Sequence, residues 1–314
     1  MKNVIYFFVV GLLFLSCNTQ KEGENSTPKS PYLFVLGNAQ DAGYPQAGCN
    51  KDCCERVYKD ASNARFVSSI ALIDPISKEN WIFDATPDFP KQLKLLSTHL
   101  NDSKNLPNGL FLTHAHIGHY TGLIHLGREV MGAKNVPVYA MPKMNSFLRT
   151  NGPWSQLVDL NNIELRELKK DSTIVLNKRI SVTPIQVPHR DEFSETVGYV
   201  IHSNSTKALF IPDIDKWSKW KTSIVDYIKE VDIALLDATF FKQGEINREM
   251  SEVPHPFVTE SMELFRNLSE QDKAKVNFIH FNHTNPLLID GSEAQNQVLK
   301  NGFNIAKQEM IIEL

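Results

Sequence analysis

The chain has 314 residues, 42% hydrophobic and 22% charged, and its 33 Lys and Arg against 36 Asp and Glu leave a formal net charge of −3. This composition excludes a disordered chain, a collagen-like repeat and a disulfide-stapled miniprotein, for which 15 Gly and 4 Cys are too few. The near-neutral balance removes any bulk electrostatic reason to bind nucleic acid or an anionic membrane, so an anionic ligand has to be held by local charge.

Lys2 precedes an apolar stretch, Val4 to Leu15, that ends in Ser16-Cys17, the pattern of a secretory signal. Its twelve residues fall short of the roughly 20 that a membrane-spanning helix takes. Leu13-Phe14-Leu15-Ser16-Cys17 resembles a bacterial lipobox. That resemblance implies a lipoprotein signal over residues 1–17, lipidation of Cys17, and an exported protein anchored at a periplasmic or cell-surface face. Residues 18–30 are polar and aperiodic, a tether, and 31–314 reads as one folded domain.

Along the body, short β-type runs alternate with helical stretches. Strands are expected at Tyr32 to Leu36, Ser68 to Ile73, Trp81 to Phe83, Gly109 to Leu112, Ser181 to Val187, Val197 to His202, Ala208 to Ile211, Ile233 to Leu236, Val276 to Ile279 and Met310 to Glu313. Helices are expected at Gly122 to Val130, Lys143 to Arg149, Trp217 to Lys229, Thr259 to Asn267 and Ser292 to Lys300. Several strands are apolar throughout, as strands covered on both faces are, and an α/β layered architecture follows.

Six of these strands stop at His or Asp: Asp84, His114, His189, Asp213, Asp237 and His280. A strand-end Asp alone is commonly a turn former, and a lone His is commonly a satisfied core group. Ligands of α/β sheets, however, gather where strand ends converge. Thr113-His114-Ala115-His116-Ile117-Gly118-His119 adds a tight loop carrying three imidazoles. Neutral imidazole is a standard ligand of a divalent transition metal, and catalytic zinc needs three protein ligands with one position open.

On these motifs the chain resembles the metallo-β-lactamase superfamily, with its His-x-His-x-Asp-His loop and its order of later ligands. The resemblance implies a four-layer αββα sandwich, with Asp84 supporting the site and His114, His116 and His189 holding a first metal. Asp213 would bridge to a second metal held by His119 and His280. Where the family motif has Asp, this chain has Gly118. Asp213 would then be the sole ligand carboxylate, so one zinc is expected to bind tightly and a second weakly or not at all. Mn²⁺ and Fe²⁺ are the alternative metals.

Gly48-Cys49-Asn50-Lys51-Asp52-Cys53-Cys54, Ile279-His280-Phe281-Asn282-His283 and the opening Leu36 to Gln46 look like one subgroup of that superfamily. It contains the quinone-cofactor biosynthesis protein B and the cyclic phosphodiesterase of phosphonate breakdown. There a Cys run and a late His close a structural zinc site, which implies Cys49, Cys53, Cys54 and His283 here. A disulfide is the competing expectation, because export favours one.

Asp237 and His255, in Pro254-His255-Pro256, look like the acid-His pair of the tRNase Z branch, where the His protonates a leaving oxygen. With Asp213 orienting the nucleophile, the expected activity is zinc-dependent hydrolysis of a small phosphodiester or ester-like bond, on an anionic small molecule. Tyr44, Tyr120, Phe240, Phe241 and Phe257 are candidates to line the cleft. The competing functions are an oxidoreductase or hydroxylase step resembling quinone-cofactor biosynthesis, and a non-catalytic binding lipoprotein on the same scaffold.

Overall fold

The computed structural model of the protein describes residues 28–102, 106–190, 192–204 and 206–314. The signal segment, Cys17 and most of the tether lie outside the described residues. Fourteen strands alternate with nine α-helices among the described residues. The first half contributes β1 (Tyr32–Gly37), β2 (Ser69–Asp74), β3 (Glu79–Phe83), β4 (Gly109–Phe111), β5 (Val136–Ala140) and β6 (Ile163–Glu167). The second contributes β7 (Ile174–Val175), β8 (Ile180–Gln186), β9 (Val197–Ser203), β10 (Thr206–Ile211), β11 (Ile233–Asp237), β12 (Val276–Ile279) and β13 (Asn304–Ile305), before β14 (Ile311–Glu313) returns to the first sheet.

The sheet orders are β14-β1-β2-β3-β4-β5-β6 and β13-β12-β11-β10-β9-β8-β7. In each, an antiparallel block passes into a parallel one: β3 to β6 run parallel in the first sheet, and β10 to β13 in the second. The two parallel blocks therefore each release several chain ends along one edge. Between the sheets lies a core of Leu33, Phe83, Phe111, Tyr199 and Phe210. Tyr199 packs edge-on to Phe83 and Phe111 at 5.2 and 5.5 Å, and its hydroxyl donates to the carbonyl of Leu112. One aromatic side chain thus ties the second sheet to the strand end that opens the His loop.

Helices cover the outer faces. α1 (Asp52–Lys59) belongs to the second sheet's outer cluster, and α2 (Phe89–Leu100) to the first sheet's. α3 (Ile117–Tyr120) lies within the His loop, while α4 (Pro142–Thr150) and α5 (Trp154–Asp159) pack on the first sheet. α6 (Ile224–Glu230), α7 (Val258–Leu264) and α9 (Glu293–Lys300) pack on the second, and α8 (Glu270–Ala274) buries none of its residues. The result is the expected αββα order of layers.

The differences from the sequence expectation are local. The helix expected over Gly122 to Val130 is only a 3₁₀ segment, Thr121–Leu126. Gly122 is pressed against the strand-end turn: a Cβ there would lie 2.2 Å from the Thr86 carbonyl and 2.6 Å from Phe89 Cβ. The helix expected over Trp217 to Lys229 is interrupted at Trp220, whose backbone is extended, and restarts where the Ser223 side chain accepts from Asp226 N. β5 and β6 were absent from the expectation, as was α2, which opens on Phe89-Pro90. Proline is compatible with a first helical turn, whose N–H groups have no partner within the helix.

Candidate metal centre

Both parallel blocks deliver side chains to the shared edge. Asp84 directly follows β3 and His280 directly follows β12, and their φ angles of 69° and 70° lie in the left-handed region that non-glycine residues seldom adopt. Both are fully buried.

A layer of hydrogen bonds fixes the imidazole tautomers. Asp84 accepts from Thr113 N at 2.8 Å and from the Thr113 hydroxyl, and it receives His119 Nδ1–H at 2.7 Å. The Thr113 hydroxyl, having given its proton to Asp84, accepts from His114 Nδ1 at 3.0 Å. The second sheet repeats the device: Thr239 Oγ1 donates to Asp237 at 2.7 Å and accepts from His280 Nδ1 at 2.9 Å. Asp215 receives His189 Nδ1 at 3.2 Å. With the proton held on Nδ1, each Nε2 presents a lone pair, the form a metal ligand needs.

Those lone pairs converge on Asp213. Its Oδ2 lies 3.2 Å from His114 Nε2, 3.2 Å from His189 Nε2, 3.8 Å from His116 Nδ1 and 3.9 Å from His119 Nε2. Two donor groups result, each with ligand atoms within 4.8 Å of one another: His114, His116, His189 and Asp213, and Asp41, His119, Asp213 and His280. The Nε2 atoms of His114, His119 and His280 and the Oδ1 atoms of Asp41 and Asp213 are buried without hydrogen-bond partners. Orphaned, converging N and O donors are the environment a zinc-class cation satisfies.

The electrostatics agree. Burial pushes His114 well below its ordinary pKa, so it is neutral. Burial opposes a charge on His119, but Asp84 and Asp41 outweigh it and hold its pKa well above the usual value. Burial likewise works against His189, and Asp213 and Asp215 raise it to about 9. Carboxylates that favour a proton there equally favour a metal cation.

Gly118 offers no donor, yet the second group is not carboxylate-poor. Asp41, on the loop after β1, had no role in the sequence expectation, and its Oδ1 stands 2.9 Å from His119 Nε2 and 3.6 Å from His280 Nε2. The sequence expectation counted Asp213 as the sole carboxylate, and this group contains a second. Thr113, Thr239 and Asp215 were also missed, because hydroxyls and one more carboxylate carry no spacing signature of their own.

Cys49, Cys53, Cys54 and His283 form a separate group with donor atoms within 4.8 Å, and the three cysteines are free thiols. Cys49 and Cys53 Sγ are 3.8 Å apart, and Gln46 N donates to Cys54 Sγ at 3.3 Å. Burial, with its neighbouring thiols, pushes Cys54 up to about 12, the behaviour of thiols crowded together without a cation.

At the solvent side, His255 Nδ1 lies 2.9 Å from Asp237 Oδ2 and 3.1 Å from Asp213 Oδ1. Of the aromatic residues expected at the cleft, Tyr120 lines it, whereas Phe240 and Phe257 form a small core beside His255. Phe241 lies in the core and Tyr44 donates its hydroxyl to the Cys53 carbonyl.

The hydroxyl of Thr113 joins Asp84 to His114, so Thr113→Val should weaken zinc affinity by about 10- to 100-fold with the fold intact. Competition with a chromogenic chelator measures this, and an unchanged affinity would show that the hydroxyl does not hold the tautomers.

Residues 79–281 match the model of the family described as beta-lactamase superfamily domain. The coenzyme PQQ synthesis protein B of Pseudomonas putida (strain GB-1) is 27% identical over 316 aligned residues, covering 90% of this chain and all of that protein. Among solved structures, zinc-bound PqqB from Methylobacterium extorquens matches 90% of this chain and all of its own with a TM-score of 0.74 at 20% identity. A diphosphatase from the PhnP family matches 90% of this chain and 97% of its own, with a TM-score of 0.62 at 22% identity. The chain has the metallo-β-lactamase fold and belongs to the beta-lactamase superfamily domain family.

Proposed function

We propose that the chain is an exported, metal-dependent hydrolase that cleaves a small phosphodiester, or a comparable ester-like bond, carrying an aromatic group. The observation that carries this reading is a carboxylate-held imidazole, His255, set against two convergent donor groups. The diphosphatase of the PhnP family among the similar structures supports it at the level of fold. His114, His116, His189 and Asp213 would hold one zinc ion, and His119, His280 and the shared Asp213 a second. Zinc bound there supplies a Lewis acid for the substrate oxygen and a water acidified to a pKa of about 7.

The chain's own groups do the rest. Asp213 Oδ1, buried and 3.1 Å from His255 Nδ1, would accept a hydrogen bond from the nucleophile and orient it. Burial disfavours a charged His255, but Asp237 and then Asp213 hold its pKa well above the usual value. It therefore carries a proton at neutral pH. Asp237 keeps Nδ1, which leaves Nε2–H for the departing oxygen.

Arg190 Nη2 lies 3.3 Å from His116 Nε2. A guanidinium only donates, and a His116 that offers Nδ1 to a metal carries its proton on Nε2. The two donors then repel, and Arg190 turns to an anionic substrate oxygen. Beside it a cleft of about 500 Å³ is lined by Ile117, Tyr120, Phe147, Trp154 and Phe193. Phe193 and Ile117 are 62% and 59% exposed, an open apolar wall next to a cation that suits an aryl or nucleobase substituent.

Metal-loaded protein is expected to hydrolyse bis(p-nitrophenyl) phosphate faster than a dialkyl phosphodiester, a lactone or a β-lactam. His255→Ala should spare esters with good leaving groups and cost about 10²- to 10⁴-fold on poor ones. Turnover confined to iron with oxygen would replace hydrolysis by an oxidative step, and equal loss on all esters would remove His255 as the acid.

The thiol group is proposed to hold a structural zinc through Cys49, Cys53, Cys54 and His283. Titration with a mercurial should release that one ion, and chelated, denatured protein should then yield all three of these thiols; one alone would mean a disulfide. Lipid anchoring through Cys17 is proposed on the lipobox, with a small anionic substrate and no nucleic acid as partners. Cys17→Ser should move the protein from the membrane to the soluble fraction on cell fractionation, and unchanged sedimentation would refute the anchor.

A further inference from the structure

Gly118 stands where the superfamily's loop motif carries Asp, and Asp41 fills the space that Asp would use. A Cβ built on Gly118 would lie 2.3 Å from Oδ1, 2.8 Å from Cγ and 2.5 Å from Cα of Asp41. These atoms cannot move aside as a flexible tip would, because the Asp41 backbone is involved. An acidic side chain at 118 and Asp41 in its present place are therefore mutually exclusive.

The carboxylate of Asp41 has no hydrogen-bond partner for Oδ1, which is buried between His119 Nε2 at 2.9 Å and His280 Nε2 at 3.6 Å. Both of those nitrogens are also without hydrogen-bond partners. Asp84 and Thr239 hold the protons of the two rings on Nδ1. With both rings neutral, three electron-rich atoms, drawn from three distant stretches of chain, face one another inside the protein. A cation among them turns a repulsive arrangement into a bound one.

We propose that Asp41 is the carboxylate ligand of the second metal position, a donor moved from the His loop to the loop after β1, and that Gly118 makes room for it. The loop is built for this task. Gln40 N donates to the Phe281 carbonyl at 2.7 Å, Phe281 N to the Asn38 carbonyl at 2.8 Å, and Asn38 Nδ2 to the Ala306 carbonyl at 2.9 Å. Asp41 therefore rides on backbone paired directly to the residue after His280. Farther along, Cys49, Cys53 and Cys54 meet His283, so the same two segments are joined again on the other side of Asp41. The two donors of the second position are positioned as one piece.

This inference rests on the two-ion reading above and is tested by metal content, independently of turnover. Zinc is counted by elemental analysis after dialysis, and the affinity of the weaker catalytic-site ion is measured by chelator competition. Asp41→Asn should lose one zinc equivalent relative to the parent, or hold it at least about tenfold more weakly. Asp41→Glu, which keeps a carboxylate on the same backbone, should retain more of that zinc than Asp41→Asn. Gly118→Asp alone should bind no better than Asp41→Asn, with circular dichroism confirming that each variant is folded. Asp41→Asn with the parent's zinc count and affinity overturns the assignment. A parent that holds both ions but cleaves no phosphodiester overturns the substrate class while leaving Asp41 in place.

Discussion

Four imidazole nitrogens facing one carboxylate oxygen is the constraint around which the rest of the molecule is arranged. Asp213 is 2% exposed, and its Oδ2 lies within 4 Å of nitrogens from His114, His116, His119 and His189. A metal ion in such a cluster requires the rings around it to aim lone pairs inward, the tautomer that hydrogen bonds on the far nitrogen select. That requirement explains why polar groups penetrate an otherwise apolar interior at Asp84, Thr113, Asp237 and Thr239, all of them buried. Removing any of them frees a ring to turn its N–H toward the centre.

The two sheets solve this problem in the same way. In the first, Asp84 and Thr113 lock His114 and His119; in the second, Asp237 and Thr239 lock His280 and His255. The correspondence follows from topology: each sheet passes from antiparallel to parallel pairing, so each sends adjacent strand ends to the same edge. Unusual backbone at Asp84 and His280 is retained because packing from both sides over-determines it.

The sequence made the rigid parts of this plan legible and left its junctions obscure. Strands such as Tyr32–Gly37 and Ser69–Asp74 are buried on both faces and read as unbroken apolar runs. The His and Asp residues that end β3, β4, β10, β11 and β12 could be found because a polar residue at the end of such a run is conspicuous. Val136–Ala140 contains a proline, Ile163–Glu167 is mostly exposed, and β7 and β13 have two residues each, so none carries a readable period. Asp41 was beyond reach for another reason. Nothing in its neighbourhood has ligand spacing, and it meets His119 only through the packing of the loop after β1 against the segment after β12. The glycine at 118 was visible, but by itself it showed only that the His loop lacks a carboxylate.

The steric exclusion between position 118 and Asp41 also bears on how such a site can change over evolutionary time. A chain carrying both acids could keep only one of them in the centre. A form with neither would leave Asp213 as the one carboxylate among the imidazoles. An inventory drawn from the His loop alone would miss Asp41, because a donor counts by its location in space rather than by its address in the chain.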